Sequence, residues 1–128
     1  MQNRKLVLVV DDDPGMLRAV ERLLRQFGYD SLLFGSAAAF DEHTDFENAA
    51  CIILDINLNG ASGIDVRYRL KNAGVAVPII YITANDGPGI REAAEQSGYL
   101  AYLTKPFAAQ SLLDALMKAS TASRKRDS

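Results

Sequence analysis

Cysteine, histidine and tryptophan are almost missing from these 128 residues: there is one Cys, one His and no Trp. A lone cysteine, Cys51, cannot close an internal disulfide, and it opens an apolar run. It therefore reads as a small buried hydrophobe rather than a reactive thiol. The single histidine, His43, lies in a polar stretch between Glu42 and Thr44 and reads as exposed, with no second histidine to make a metal pair. No charged start leads into an apolar stretch, and no apolar run is long enough to cross a bilayer. These absences exclude a membrane-spanning segment and make a cytoplasmic chain the natural expectation. Excess charge of either sign is missing as well. The formal net charge is -2, so no broad basic face is available for nucleic acid.

What is present is a set of apolar runs that stop at chemically active residues. Leu6-Val7-Leu8-Val9-Val10 runs into Asp11-Asp12-Asp13-Pro14. Ile52-Ile53-Leu54 runs into Asp55, and Tyr99 to Leu103 runs into Thr104-Lys105-Pro106. Short runs rich in Val, Ile and Leu predict buried strands of a parallel sheet. In an open parallel α/β sheet the carboxyl ends of the strands line the ligand crevice. Several carboxylates and one lysine are therefore expected at one edge.

The length suits one domain with one fold. Strands are predicted near residues 7–10, 29–34, 51–54, 78–83 and 100–103, each followed by an amphipathic stretch. Asp13-Pro14 is a helix start, with Asp as N-cap and Pro in the first turn. Ser36 is a second cap. The second strand is the least apolar and reads as an edge. Asn57-Leu58-Asn59-Gly60 reads as a loop. The fourth helix is predicted to bury only Ile90, Ala93 and Ala94, and a Gly- and Pro-rich stretch precedes it, so it is expected to be the least stable part. The last helix carries Leu112, Leu113, Leu116 and Met117. Five such units without a hairpin signal predict a doubly wound parallel sheet with helices on both faces. Residues 1–121 form the expected domain, and 122–128 a polar, frayed tail or the start of a linker.

Carboxylates gathered at one edge need a cation. Two like charges about 4 Å apart repel by roughly 4 kcal/mol at an effective dielectric near 20. A hard ion such as Mg2+ takes oxygen ligands, keeps waters and accepts a phosphate oxygen. Asp11, Asp12 and Asp55 are the candidate ligands, with the backbone carbonyl of Asn57. Helix capping explains Asp13 but not the two aspartates before it. Asp55, fixed at the end of a buried strand, is expected at the exposed edge. There it can act as a nucleophile toward phosphorus and form an aspartyl phosphate. Thr83 can donate a hydroxyl to a phosphoryl oxygen, Ala84 leaves room beside it, and Lys105 can bring an ammonium to the opposite side.

Taken in order and strand context, these residues resemble the receiver domain of the two-component response regulators. The resemblance runs from about Lys5 to Ala119. It rests on Val9-Val10-Asp11-Asp12-Asp13, Ile53-Leu54-Asp55, Ser62-Gly63-Ile64, Ile82-Thr83-Ala84 and Lys105-Pro106-Phe107. It implies a flavodoxin-like (βα)5 fold with strand order 2-1-3-4-5. It implies that Asp55 accepts a phosphoryl group from a sensor histidine kinase or a histidine phosphotransfer protein. Asp11 and Asp12 would hold Mg2+, Thr83 would sense the phosphoryl group and Lys105 would pair with it. The Lys105–Pro106 bond is cis in relatives. Tyr102 falls at the switch aromatic position and would fill the space that Thr83 vacates. The fourth helix, fifth strand and fifth helix would form the surface for targets or a homodimer. The pattern is similar to receivers of the nitrogen-fixation and LuxR-type class. One departure is Asn59, where many receivers carry Pro; Asn59-Gly60 should leave that loop more flexible.

Two other classes compete. A haloacid-dehalogenase-type phosphatase also uses a strand-end Asp with Mg2+, but wants a second Asp two residues on, where Asn57 stands. A flavodoxin needs a hydroxyl- and Gly-rich phosphate loop where Asp11-Asp12-Asp13 stands. The receiver reading makes the chain a phosphoacceptor rather than a turnover enzyme. Its output comes from a protein contact if 128 residues is the natural length, and otherwise from a domain beyond it.

Overall fold

Val7, Leu8, Val9 and Val10 are completely buried, as are Cys51, Ile52, Ile53 and Leu54. Runs buried on both faces are what a central parallel strand requires. The computed structural model describes residues 5–127. Among them, five strands form one sheet: β1 (Leu6–Val10), β2 (Asp30–Phe34), β3 (Ala49–Asp55), β4 (Ile79–Thr83) and β5 (Ala101–Thr104). All neighbours are parallel, in the order β2-β1-β3-β4-β5. The helices are α1 (Pro14–Gln26), α2 (Ala37–Asp41), α3 (Gly63–Asn72), α4 (Pro88–Ser97) and α5 (Ala109–Asp127). The chain moves outward from β1 to β2, then returns to place β3 on the other side of β1. This reversal opens a crevice at the carboxyl ends of β1 and β3.

Alternate strand residues face opposite ways, so the sheet builds two cores. Leu8, Leu54 and Tyr81 face α2, α3 and α4 through Phe40, Val66, Leu70 and Ala94. Val9, Ile53 and Ile82 face α1 and α5 through Val20, Leu24, Leu112 and Leu116. Cys51 lies in the second core, where burial pushes its thiol up to about 12. Asp13 caps α1 by accepting from the Gly15 amide, and Ser36 caps α2 through the Ala39 amide.

Several local expectations need correction. Asn57–Leu58 and Ala61–Ser62 form a two-residue antiparallel ladder rather than a loop. Asn59-Gly60 is its turn, with Gly60 at φ +77° and no positive φ at Asn59, the pattern of a type II turn. The hairpin signal was present in that dipeptide. Asp55 is the last residue of β3 and is buried, not exposed. On α4 the buried residues are Ala94 and Ser97, with Ile90 and Ala93 only half-buried. The Tyr81 hydroxyl donates to Ser97 Oγ at 2.7 Å, and that oxygen donates to the Ala94 carbonyl at 2.7 Å. The chain of bonds satisfies a serine placed where sequence pattern favours an apolar residue. On α5 the buried stripe is Leu112, Ala115, Leu116 and Ala119, a spacing of three and four that leaves Met117 59% exposed.

His43 is half-buried, its ring centroid 5.4 Å from that of Phe34 and 5.3 Å from that of Phe46. Its Nε2 donates to the Asp45 carbonyl. The last helix, α5, runs to Asp127. Residues 1–4 of the expected domain and Ser128 of the expected tail lie outside the described residues.

One glycine limits how the chain enters α3. A Cβ on Gly63 would collide with the Asp55 backbone carbonyl and lie 3.0 Å from Ile56 Cα. The Gly63 amide also donates to the Ile56 carbonyl at 2.7 Å. Gly63→Ala should therefore destabilise the protein by roughly 1–3 kcal/mol through overpacking. A urea unfolding curve reads this directly, and an unchanged midpoint would show that the backbone yields without cost.

Candidate functional site

The strand ends bring four side chains to one place. Asp11 follows β1, and its amide donates to the Phe34 carbonyl at 3.1 Å, extending the β1–β2 ladder by one bond. Asp55 ends β3. Lys105 follows β5, with its amide donating to the Thr83 carbonyl at 2.8 Å. From there the Lys105 ammonium reaches back across β4. Its Nζ lies 2.9 Å from Asp11 Oδ2 and 2.9 Å from Asp55 Oδ2. Each carboxylate keeps its other oxygen on a backbone amide. Asp11 Oδ1 accepts from Asp13 at 2.9 Å, and Asp55 Oδ1 accepts from Asn57 at 3.0 Å. The Lys105–Pro106 peptide is cis.

Asp12 is exposed beside this pair, and carboxylate oxygens of Asp11, Asp12 and Asp55 all lie within 4.8 Å of one another. Three carboxylates against one ammonium leave the cluster two charges negative. The donors are all hard oxygens, which fits Mg2+ rather than a thiophilic metal. The Asn57 backbone beside Asp55 is the fourth predicted ligand.

Burial raises the Asp55 pKa above the usual carboxylate value, although the Lys105 and Asn57 hydrogen bonds oppose it. The Asp11 charge pushes in the same direction as burial. For Lys105, burial works against the charged form. The hydrogen bonds to Asp11 and Asp55 and the charges of both carboxylates together outweigh it, and its pKa is raised.

Thr83 ends β4 and is fully buried. Its Oγ1 donates to the Asn85 carbonyl at 3.0 Å and accepts from the Asn85 amide at 3.0 Å. It also accepts from Asn57 Nδ2 at 3.3 Å. One donor and two acceptor positions are all a hydroxyl has, so Thr83 is fully engaged. As a metal ligand, only the backbone carbonyl of Asn57 was expected from the sequence. Its side chain proves to link the end of β3 to Thr83. Tyr102 lies outside this cluster, half-buried on β5, with its hydroxyl donating to Asp86 Oδ1 at 3.0 Å.

The family model of the response regulator receiver domain matches residues 7–117. The chain belongs to this family. Nodulation protein W of Bradyrhizobium diazoefficiens is 36% identical over 123 residues, 96% of this chain and 54% of that protein. Response regulator protein TodT of Pseudomonas putida is 32% identical over 114 residues, 89% of this chain and 50% of that protein. The receiver thus spans about half the length of the relatives it matches. Among solved structures, response regulator StyR is similar with a TM-score of 0.88 at 33% identity, covering 98% of this chain and 63% of that one. A CheY-like receiver domain of Methanospirillum hungatei JF-1 shares the fold, with a TM-score of 0.88 at 21% identity over 97% of this chain and 99% of that one.

A buried acid with a raised pKa contributes stability below its ordinary pKa and loses it as pH rises through the raised value. In this receiver, ionised Asp55 should therefore weaken the fold at neutral pH when divalent cations are chelated. Asp55→Asn should melt higher than the parent at pH 7, and the gap should shrink as pH falls toward the ordinary carboxylate pKa. Thermal unfolding across that range measures it. A gap independent of pH would mean that the charge on Asp55 is not the cause.

Proposed function

We propose that this receiver takes a phosphoryl group onto Asp55 from the phosphohistidine of a sensor histidine kinase or a histidine phosphotransfer protein. The observation that carries the reading is the Lys105 ammonium held 2.9 Å from both Asp11 and Asp55, with Asp12 beside them. In the transfer an Asp55 oxygen forms a bond to phosphorus while the phosphorus–nitrogen bond to histidine breaks. The histidine nitrogen keeps the electron pair. The product is an aspartyl phosphate.

Asp11, Asp12, Asp55 and the Asn57 backbone carbonyl would hold Mg2+. Bound there, the ion supplies positive charge that offsets the phosphoryl oxygens. Lys105 supplies the protein's own share: its ammonium transfers one hydrogen bond from the Asp55 carboxylate to a phosphoryl oxygen. Thr83 leaves the Asn85 carbonyl to donate to another. Tyr102 then moves inward into the space that Thr83 gives up. The change is read on the face formed by α4, β5 and α5, by a target or by a second copy of the receiver.

In this reading residues 1–121 form the receiver and 122–128 a tail or the start of a linker. The protein works in the cytoplasm with no membrane contact, and this chain contacts no nucleic acid itself. It hydrolyses its own aspartyl phosphate slowly and does not turn over a substrate. Its subclass is the nitrogen-fixation and LuxR-type receivers. No helix among the described residues is long and apolar enough to cross a membrane.

The energetic demand falls on contacts that differ between states. Moving the inactive-to-active ratio from 1:99 to 99:1 takes roughly 5.5 kcal/mol of preference for the active state. Mg2+ binds the resting protein as well, so Thr83 and Lys105 must supply most of that difference.

Incubation with Mg2+ and acetyl phosphate, followed by intact mass, tests the reading. The parent should gain one phosphoryl group only when Mg2+ is present, and Asp55→Asn should gain none. No gain by the parent, or an equal gain by Asp55→Asn, would overturn it. Thr83→Ala should still accept the group but should show less phosphorylation-dependent change in the tyrosine ring spectrum. A change equal to the parent's would remove Thr83 from the mechanism.

A further inference from the structure

The resting contacts of Tyr102 are more specific than those of a strand-end aromatic at a surface. Its hydroxyl bonds to Asp86 Oδ1, and the Arg91 guanidinium lies 4.6 Å from the centroid of its ring. Arg91 Nε reaches the same Asp86 oxygen at 3.2 Å. Tyr99 bounds the ring elsewhere, with centroids 5.6 Å apart. These groups come from three separate elements. Tyr102 is on β5, Arg91 is early in α4, and Asp86 is in the loop that leaves Thr83. That loop is held at its start by the Thr83 hydroxyl, which bonds to both the carbonyl and the amide of Asn85.

The three contacts are not of equal weight. An ion pair between half-exposed side chains such as Arg91 and Asp86 holds little by itself. A phenol donating to a carboxylate is a charge-assisted bond and holds more. Arg91 reinforces it twice, by fixing the Asp86 carboxylate and by placing a cation over the ring. Burial, followed by the Asp86 bond and charge, raises the Tyr102 pKa and keeps the phenol in its donating form.

We infer that Asp86 and Arg91 are positioning residues that latch Tyr102 in its outward orientation and so set how far the unphosphorylated receiver leans toward its inactive state. This rests on the reading that Tyr102 moves inward on phosphorylation. An inward ring surrenders the Asp86 bond and the Arg91 contact together. Contacts made in one state only must shift the equilibrium toward that state. By linkage they also weaken, by the same factor, whatever favours the other state.

Beryllium fluoride with Mg2+ serves as the phosphoryl mimic on the full chain. The ring resonances of Tyr102, identified by their loss in Tyr102→Phe, report its position. Asp86→Asn should move those resonances toward their mimic-bound values before any mimic is added. It should also lower the mimic concentration at half-saturation by about tenfold, the scale of one hydrogen bond to a charged group. Arg91→Ala, at an exposed site that leaves the core untouched, should act in the same direction with a smaller effect. In a Tyr102→Phe background, Asp86→Asn should lose most of its effect, which a merely structural role for Asp86 would not produce. Unchanged resonances and an unchanged midpoint in both single variants would overturn the latch, as would an undiminished Asp86→Asn effect in the Phe background. Failure of the parent to bind the mimic would instead count against the phosphoacceptor reading. The Tyr102 resonances of the mimic-free variants would then decide the latch alone: a shift in both supports it, and no shift overturns it.

Discussion

Two carboxylates at neighbouring strand ends repel each other unless a cation offsets their charge. Asp11 is fully buried and Asp55 nearly so, and Lys105 bonds to both. Most of the architecture follows from supplying that ammonium. Lys105 comes from beyond the neighbouring strand, since β4 lies between β3 and β5. It is delivered by a strand one position farther out, anchored by its own amide on the Thr83 carbonyl. The strand order that opens the crevice is also the order that lets a long flexible side chain reach across it. Lysine suits the task, since a point charge on a flexible stem can exchange one oxygen partner for another.

The resting site is held rather than idle. Thr83 spends its donor on the Asn85 carbonyl and both acceptor positions on Asn85 and Asn57. Lys105 spends two of its donors on carboxylates. In the proposed transfer a phosphoryl group would offer new acceptors to both: Thr83 would exchange a neutral bond for a charge-assisted one, and Lys105 one charged partner for another. In that reading the free energy for the switch would come from this difference, not from the total number of contacts. The same logic extends outward to Tyr102, whose outward orientation has its own partners to give up. In the proposed reading, phosphorylation at the strand ends and ring position at the α4–β5 surface would be one equilibrium viewed from two places.

Much of this was legible because burial and chain direction leave strong marks. Continuous Val, Ile and Leu runs marked β1, β3 and β4, and the residue closing each run marked the site. Asp13-Pro14 and Ser36 announced helix starts by local chemistry. The strand order was not legible from periodicity and came from the family resemblance. What escaped shared one physical character: it depends on side chains meeting across elements at no fixed spacing. The Asn57 amide reaching Thr83, the His43 ring between Phe34 and Phe46, and the Arg91–Asp86–Tyr102 contacts are of this kind. Met117 failed for a different reason. Ala115 and Ala119 are small enough to carry the buried stripe of α5 against the sheet, which rotates Met117 into solvent.

In the proposed reading the carboxylate pair bridged by Lys105 builds an acyl phosphate on Asp55 and nowhere else. Borohydride reduction of the acetyl phosphate-treated protein, followed by peptide mass analysis, converts a phosphorylated aspartate into homoserine at its own position. Homoserine at position 55, with Asp11, Asp12 and Asp13 intact, is the predicted result. Homoserine at any of those three, or intact aspartate at 55 in protein that has gained a phosphoryl group, would contradict the account.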